Sequence, residues 1–185
     1  MNTAVTSKEE ILKTSRELIR RQGWSAVSIR SVAAGCGVSV GSIYNYFDSK
    51  TDLIGATVES VWCEIFHRPE DDAVFQDVQA CVAWMYQRMA YGCERYPGFF
   101  TLQSLGFLRE DKIAGKQRMQ QTWQHILAGL CSVLKQDVRI RPDAFTEQFT
   151  AEKFADVLFS QMLSALLRQD YDPSAVLEIV RRTLY

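Results

Sequence analysis

The sequence predicts an all-α protein, and three observations lead to this. Apolar residues recur at helical spacing along nearly the whole chain, whereas the alternation typical of strands is scarce. Serines and glycines stand where helices would begin and end. The 185 residues are 47 % hydrophobic, which is enough for a core. We therefore expect a helical globular chain rather than a disordered or fibrous one.

Four helices are predicted in the N-terminal part. The first spans residues 7–23, the second 28–36 and the third 39–47, and each opens on a serine that can accept hydrogen bonds from free helix amides. Glycines stand at the ends of the first two helices, where left-handed backbone is common. A fourth helix begins at residue 48 or 49.

The rest of the chain is also predicted to be helical. A long helix over residues 73–95 is broken by the sequence Tyr-Pro-Gly at 96–98. The remaining predicted segments are short helical pieces over 99–108, a helix over 111–135, a break around residues 141 and 142, and two terminal helices over 151–168 and 173–184.

The second and third helices have the spacing of a helix-turn-helix. Ile29 and Val32 would pack the second helix, while Ile43 and Phe47 would pack the third across a glycine-containing turn. In this motif the later helix lies in the DNA major groove. The residues opposite Ile43 are then free to meet DNA.

The outward positions carry groups suited to DNA. Val40 can contact a thymine methyl group, and Gly41 lets the backbone approach closely. Asn45 and Ser42 can hydrogen bond to bases, while tyrosine hydroxyls and a lysine can bind phosphates. The candidate DNA-contacting residues are Ser28, Arg30, Ser39, Val40, Gly41, Ser42, Tyr44, Asn45, Tyr46 and Lys50.

The run from Ile11 to Leu53 resembles the N-terminal domain of the tetracycline-repressor (TetR) family of bacterial transcription regulators. The resemblance covers about a quarter of the chain. Its marks are Trp24 after a glycine, the Gly-Val-Ser turn at 37–39, and the segment IYNYF at 43–47. The sequence departs from the family at Tyr46, where the family often has histidine.

This resemblance implies a domain division and a function. Residues 1–49 would be the helix-turn-helix domain, and residues 50–185 a helical effector-binding and dimerisation domain. It also implies that a homodimer binds a palindromic double-stranded DNA operator and that a small molecule relieves repression. The alternative reading is a helical carrier of small molecules without a role at DNA.

The charge distribution fits a nucleic-acid reader joined to a second module. Residues 1–50 hold seven lysines and arginines against four acidic residues, whereas the remainder holds 14 basic and 18 acidic residues.

The helix over 151–168 is apolar around more than half of its circumference, so it needs cover on two sides. A four-helix interface between two copies would provide that cover, and burial within a larger monomeric bundle is the alternative. The candidate interface residues are Phe154, Leu158, Met162, Ala165, Leu177 and Val180.

Aromatic and thioether side chains in the C-terminal part would suit an apolar or aromatic effector. The candidate pocket residues are Trp84, Met85, Tyr91, Phe100, Phe107, Trp123 and Met162.

Other functions find little support in the sequence. The five cysteines lack metal-ligand spacing, so we expect no metal or cofactor and take each cysteine as a small buried residue. There is no nucleophile motif and no phosphate-binding loop, which argues against an enzyme. Without a signal-peptide-like start or a long apolar run, we expect a cytoplasmic protein that does not bind membranes.

Overall fold

The computed structural model describes residues 6–67, 72–99 and 114–185. Within these ranges the chain forms eight α-helices and no strand, which confirms the all-α prediction. The helices are α1 (Lys8–Gln22), α2 (Ile29–Cys36), α3 (Val40–Tyr44), α4 (Lys50–Ile65), α5 (Val78–Arg95), α6 (Ala114–Gln136), α7 (Ala151–Arg168) and α8 (Ser174–Leu184), with short 3-10 helices at Trp24–Ala26 and Asp72–Gln76.

The chain divides into two compact units. The first contains the described residues of Met1–Ile65 and Gly92–Thr122, and the second those of Phe66–Tyr91 and Trp123–Tyr185. The boundary expected between residues 49 and 50 concerns the division of function and stays a prediction.

In the first unit, α1 packs against α2 and α4, and α2 packs against α3. Ile11 and Ile19 of α1 are fully buried, as is Ser15 between them. The Ser15 hydroxyl donates a 2.9 Å hydrogen bond to the Ile11 carbonyl, so its burial leaves no polar group unpaired. Helix α1 begins where predicted, because the Ser7 hydroxyl accepts a hydrogen bond from the Glu10 amide.

Two helices are shorter than predicted. Helix α3 ends at Tyr44 instead of Phe47, because the amides of Tyr46 and Phe47 both donate to the Ile43 carbonyl and tighten the last turn. Helix α5 begins at Val78 instead of residue 73, because the Asp77 carboxylate accepts a 3.1 Å hydrogen bond from the Ala80 amide and opens the helix there. The predicted pieces over residues 100–108 lie outside the described residues, as do residues 111–113.

In the second unit, α7 has the predicted bounds and buries Phe154 and Leu158 within the chain. Thr150 accepts a hydrogen bond from the Lys153 amide and so caps α7. The carboxylate of Asp137, which is also buried, accepts hydrogen bonds from the Val78 amide and from the Tyr185 hydroxyl.

The cysteines correct one expectation, since only Cys81 is buried and Cys63 is exposed. Burial, followed by the nearby charge of Asp77, raises the pKa of the Cys81 thiol to about 12, so this side chain is a neutral core residue. Along the described part of the chain, no helix is both long and apolar enough to cross a membrane.

Candidate nucleic-acid interface

The turn between α2 and α3 is fixed by its own hydrogen bonds. At the start of α2, the Ser28 hydroxyl accepts from the Ser31 amide at 3.1 Å, and the Ser31 hydroxyl accepts from the Ser28 amide at 2.9 Å. Gly37 ends α2 with φ of 67°, in the left-handed region that favours glycine. Ser39 then caps α3 by accepting from the Ser42 amide at 3.2 Å. The angle between the two helices is therefore set locally.

Helix α3 has one buried side and one exposed side. Ile43 and the following Phe47 are essentially inaccessible to solvent. On the other side, Val40 and Tyr44 are 40 % and 49 % exposed, and Asn45 is exposed as well. The burial of Ile43 and Phe47 stabilises the packed helix. This offsets the free-energy cost of leaving the apolar surfaces of Val40 and Tyr44 in water. An exposed apolar and aromatic strip on a short helix marks a surface that another molecule can cover.

Gly41 leaves open space on this exposed side. A Cβ atom added there would meet only the Ser39 hydroxyl at 3.7 Å, an ordinary contact distance. Internal packing therefore does not require glycine at this position. A partner that approaches the backbone from outside would require it.

Lys50 and Arg30 are exposed at the starts of α4 and α2. Both are therefore accessible to phosphates, and their contact with DNA stays a prediction.

The predicted serines are already engaged within the protein. The Ser28 and Ser39 hydroxyls cap their helices, and the Ser42 hydroxyl lies 2.9 Å from that of Ser39. Their first structural task is to begin α2 and α3. A contact with DNA would have to be made in addition to these bonds.

Tyr46 is also engaged within the protein, and its contact with DNA stays a prediction. Its hydroxyl donates a 2.5 Å hydrogen bond to the backbone carbonyl of Thr6. A tyrosine hydroxyl has one proton and a phosphate oxygen only accepts, so Tyr46 cannot donate to a phosphate while this bond exists. The contact joins residues 40 positions apart, and no local spacing in the sequence could have indicated it.

The predicted effector residues are spread over several clusters in the second unit. Trp84 packs edge-to-face on Phe66 and Phe75, and Trp123 packs on Phe159. Met85 and Met162 are buried, whereas Tyr91 is exposed beneath Arg88. Phe100 and Phe107 lie outside the described residues.

A cavity of about 570 Å³ in the second unit is lined by none of the predicted pocket residues. Instead, Leu127 and Cys131 of α6 face Ala155 of α7 across it, and Lys135 and Glu152 form an ion pair at the same place. In the described segments no group of three metal-ligating side chains lies together.

The predicted dimer residues differ in their exposure. Phe154, Leu158, Met162, Ala165 and Val180 are buried within the single chain, and Leu177 is half-buried. The five buried side chains pack within the single chain, whereas Leu177 keeps accessible surface, and the dimer interface stays a prediction. The large apolar side chains that α7 and α8 leave exposed are Val157, Leu167 and Ile179.

Residues 11–57, which run from α1 into α4, match the family described as bacterial regulatory proteins, tetR family. Over 52 residues the chain is 40 % identical to the HTH-type transcriptional regulator YerO of Bacillus subtilis (strain 168), covering 28 % of this chain and 18 % of YerO. Over 100 residues it is 26 % identical to the HTH-type transcriptional regulator in the lacX 3′ region of Lactococcus lactis subsp. lactis, covering 47 % of this chain and 50 % of that protein. These matches span at most half the length of either relative.

The fold extends this similarity along the chain. The crystal structure of the transcriptional regulator FadR from Bacillus subtilis in complex with stearoyl-CoA superimposes with a TM-score of 0.66, covering 97 % of this chain and 100 % of that one. The sequence identity is 16 %, so this likeness shows a shared fold. The sequence match adds the family for α1 to α4, so residues 11–57 are a domain of the tetR family of bacterial regulatory proteins.

Proposed function

We propose that this chain is a DNA-binding transcription regulator that reads its site with the exposed side of α3. The observation that carries the proposal is that this helix has one buried side and one exposed side. Ile43 is fully buried, while Val40 and Tyr44 stay exposed on the other side of the helix. A helix presented in this way fits the major groove.

Each exposed group would have a distinct task in the groove. Val40 and Asn45 would contact base edges, and Gly41 would let the α3 backbone approach the DNA. Tyr44, Arg30 and Lys50 would bind phosphates, which fixes the register without reading sequence. The caps Ser28, Ser39 and Ser42 would hold both helices at the required angle.

We further propose that two copies act together on a palindromic operator. A helix-turn-helix dimer places its reading helices about 34 to 36 Å apart, one turn of DNA. The exposed Val157, Leu167 and Ile179 on the two C-terminal helices are the apolar surface that a second copy would cover.

We also propose that a small apolar or aromatic molecule relieves repression. Trp123 supports a site in the second unit, because its buried indole N–H has no acceptor within the described residues. An unpaired buried donor costs about 1 to 3 kcal/mol, and an effector with a carbonyl or other acceptor would recover this. The proposal is supported by FadR, whose structure has a similar fold and contains stearoyl-CoA, a ligand with a long apolar acyl chain. Effector and operator binding would then oppose each other by about 1 to 3 kcal/mol.

A gel-shift assay followed by footprinting, on the DNA immediately upstream of the gene, tests the proposal. We expect a protected inverted repeat, with protection lost in the Val40→Glu variant because a carboxylate would face the phosphates. Val138→Glu is the matched control, since Val138 is 96 % exposed in the loop after α6. A chain that binds apolar dyes but protects no DNA would support the rival function of a small-molecule carrier.

Sedimentation tests the dimer separately. Ile179→Glu should shift the chain toward monomer and weaken operator binding, whereas Val138→Glu should change neither. If Ile179→Glu sediments like the unaltered chain, the proposed dimer surface is wrong.

A further inference from the structure

The start of α1 lies against the end of α3. The Tyr46 hydroxyl donates to the Thr6 carbonyl at 2.5 Å, and the Lys8 ammonium lies 5.6 Å from the centroid of the Phe47 ring. We call these four residues, Thr6, Lys8, Tyr46 and Phe47, the α1–α3 junction. The junction links the start of α1 to the residues that follow α3.

Consecutive bonds fix Lys8 in this place. Thr6 is held by Tyr46, and the Ser7 hydroxyl accepts from the Glu10 amide at 3.1 Å. Lys8 follows as the first residue of α1, so its backbone has little freedom. Its side chain is exposed and its ammonium lies over an aromatic ring. A cation over a ring keeps its N–H groups available to another acceptor.

The surrounding charges leave this ammonium free to bind an anion. Glu10 is two residues further along α1, about 200° around the helix from Lys8, and it pairs with Lys13 at 3.8 Å. Glu9 is one residue further, about 100° around from Lys8. After Phe47 the chain continues with the exposed Asp48 and Lys50, so a carboxylate and a second ammonium group follow the end of α3 in sequence.

We propose that Lys8 contacts a DNA phosphate and that Tyr46 is the positioning residue that holds the start of α1 for this contact. The inference rests on the proposed function and adds to it. The anion is a phosphate of the duplex whose groove receives α3, because Tyr46, which holds the start of α1, is exposed directly after Asn45 at the end of that helix. Tyr46 then acts through Thr6 and Lys8 and makes no phosphate bond of its own.

The role of Lys8 is tested by measuring the affinity for a mixed-sequence duplex of about 30 base pairs at several salt concentrations. Fluorescence anisotropy reports the binding. Each phosphate contact contributes about 0.9 to the slope of log affinity against log salt. Lys8→Gln should therefore lower the slope by about 0.9 for each bound subunit, so that between 50 and 200 mM salt its affinity falls about threefold less per subunit than that of the unaltered chain. Lys13→Gln is the matched control on the same helix, and its slope should not change.

A double-mutant cycle tests the role of Tyr46. Tyr46→Phe removes only the hydroxyl and should weaken binding several-fold, as Lys8→Gln does at low salt. In the Lys8→Gln background the same change should have no further effect, because both act through one contact. If the fold-losses in affinity of the two single variants multiply in the double variant, Tyr46 makes a DNA contact of its own. That result would overturn its positioning role.

The outcomes separate this inference from the proposed function. An unaltered chain that binds no duplex at low salt overturns both. Binding by the unaltered chain with an unchanged slope in Lys8→Gln overturns the inference alone. Thermal melting of each variant identifies a purely structural role, since that would lower the melting temperature and leave the slope unchanged.

Discussion

Arg16 of α1 and Glu64 of α4 form an ion pair, with 2.7 Å between the Nε atom and the carboxylate. The same carboxylate accepts a 3.1 Å hydrogen bond from Arg95 near the end of α5. Burial opposes ionisation of Glu64, but hydrogen bonds from Tyr96 and Arg95 and the charge of Arg16 outweigh it and lower its pKa. One carboxylate thus ties three helices of the first unit together.

Glu64→Gln should destabilise the first unit by about 1 kcal/mol, because both arginines lose their charged partner in a partly exposed site. The pKa of Glu64 is lowered by folding, so its contribution is present above its unfolded pKa and is lost as pH falls through the folded value. Urea unfolding at pH 7 and pH 3 measures this. Glu94→Gln, at an exposed position of α5, should have little effect at either pH. Equal losses in both variants would contradict the prediction.

Asp137 should be a larger determinant of stability. Its side chain is 1 % exposed, and it bonds to the Val78 amide, to Arg139 at 2.7 Å and to the Tyr185 hydroxyl. Asp137→Asn removes the charge opposite Arg139, and the new amide places its two N–H groups among hydrogen-bond donors. We therefore expect the free energy of unfolding to fall by about 2 kcal/mol. Asp143→Asn should cost little, because the Asp143 side chain is 86 % exposed in its ion pair with Arg141. Urea unfolding at pH 7 compares them, and similar midpoints would contradict the prediction.

The effect of Asp137 should depend on pH. Burial opposes its ionisation, but the hydrogen bonds from Arg139, Tyr185 and the backbone hold the pKa of Asp137 well below its usual range. Its stabilisation is therefore complete above the unfolded pKa of about 3.9 and declines as pH falls below it. The difference in the free energy of unfolding between the unaltered chain and Asp137→Asn should become smaller from pH 7 to pH 2. A constant difference in unfolding free energy would show that another group causes the loss.

Two glycines within helices should respond in opposite ways to alanine. A Cβ at Gly92 of α5 would lie 2.6 Å from Cδ1 and 2.9 Å from Cγ1 of the buried Ile65. Overpacking costs about 1 to 3 kcal/mol and exceeds the helix preference of alanine, about 1 kcal/mol. A Cβ at Gly129 of α6 would meet no atom of the described residues within 4 Å, so Gly129→Ala should raise the stability by up to about 1 kcal/mol. Thermal melting measures both, and a stabilised Gly92→Ala would mean that Ile65 moves aside.

Local signals explain why much of the fold could be predicted. The serine caps at Ser7, Ser28 and Ser39 and the glycine at Gly37 act on neighbouring amides, so a few residues decide where α1, α2 and α3 begin or end. The orientation of α3 also follows from spacing, because Ile43 and Phe47 are four residues apart and share one side. These features need no knowledge of distant contacts.

The features that the sequence could not show depend on distant contacts. Pattern alone showed that α7 needs cover on two sides, but it could not show that Phe154 and Leu158 find it within the same chain. The bond between Tyr46 and Thr6 spans 40 residues and gives no periodic signal. The apolar residues proposed for the effector pocket resemble core residues in composition, so composition could not distinguish Met85 from a ligand contact.

Asn45 and Lys50 should have different effects on operator binding. Both are exposed, Asn45 at the end of α3 and Lys50 at the start of α4. An asparagine that bonds to base edges carries sequence information, whereas a lysine at a phosphate does not. Asn45→Ala should therefore weaken binding to the footprinted operator by about 1 to 3 kcal/mol and hardly affect random duplex. Lys50→Ala should weaken binding to operator and to random duplex alike, and lower the salt slope by about 1.

Anisotropy titrations on the two duplexes measure the difference between the Asn45 and Lys50 variants. Gln161→Ala in α7 is the control at an exposed amide. Equal losses of Asn45→Ala on operator and random DNA would remove Asn45 from the residues that read sequence, because a side chain that bonds only the backbone cannot distinguish one duplex from another.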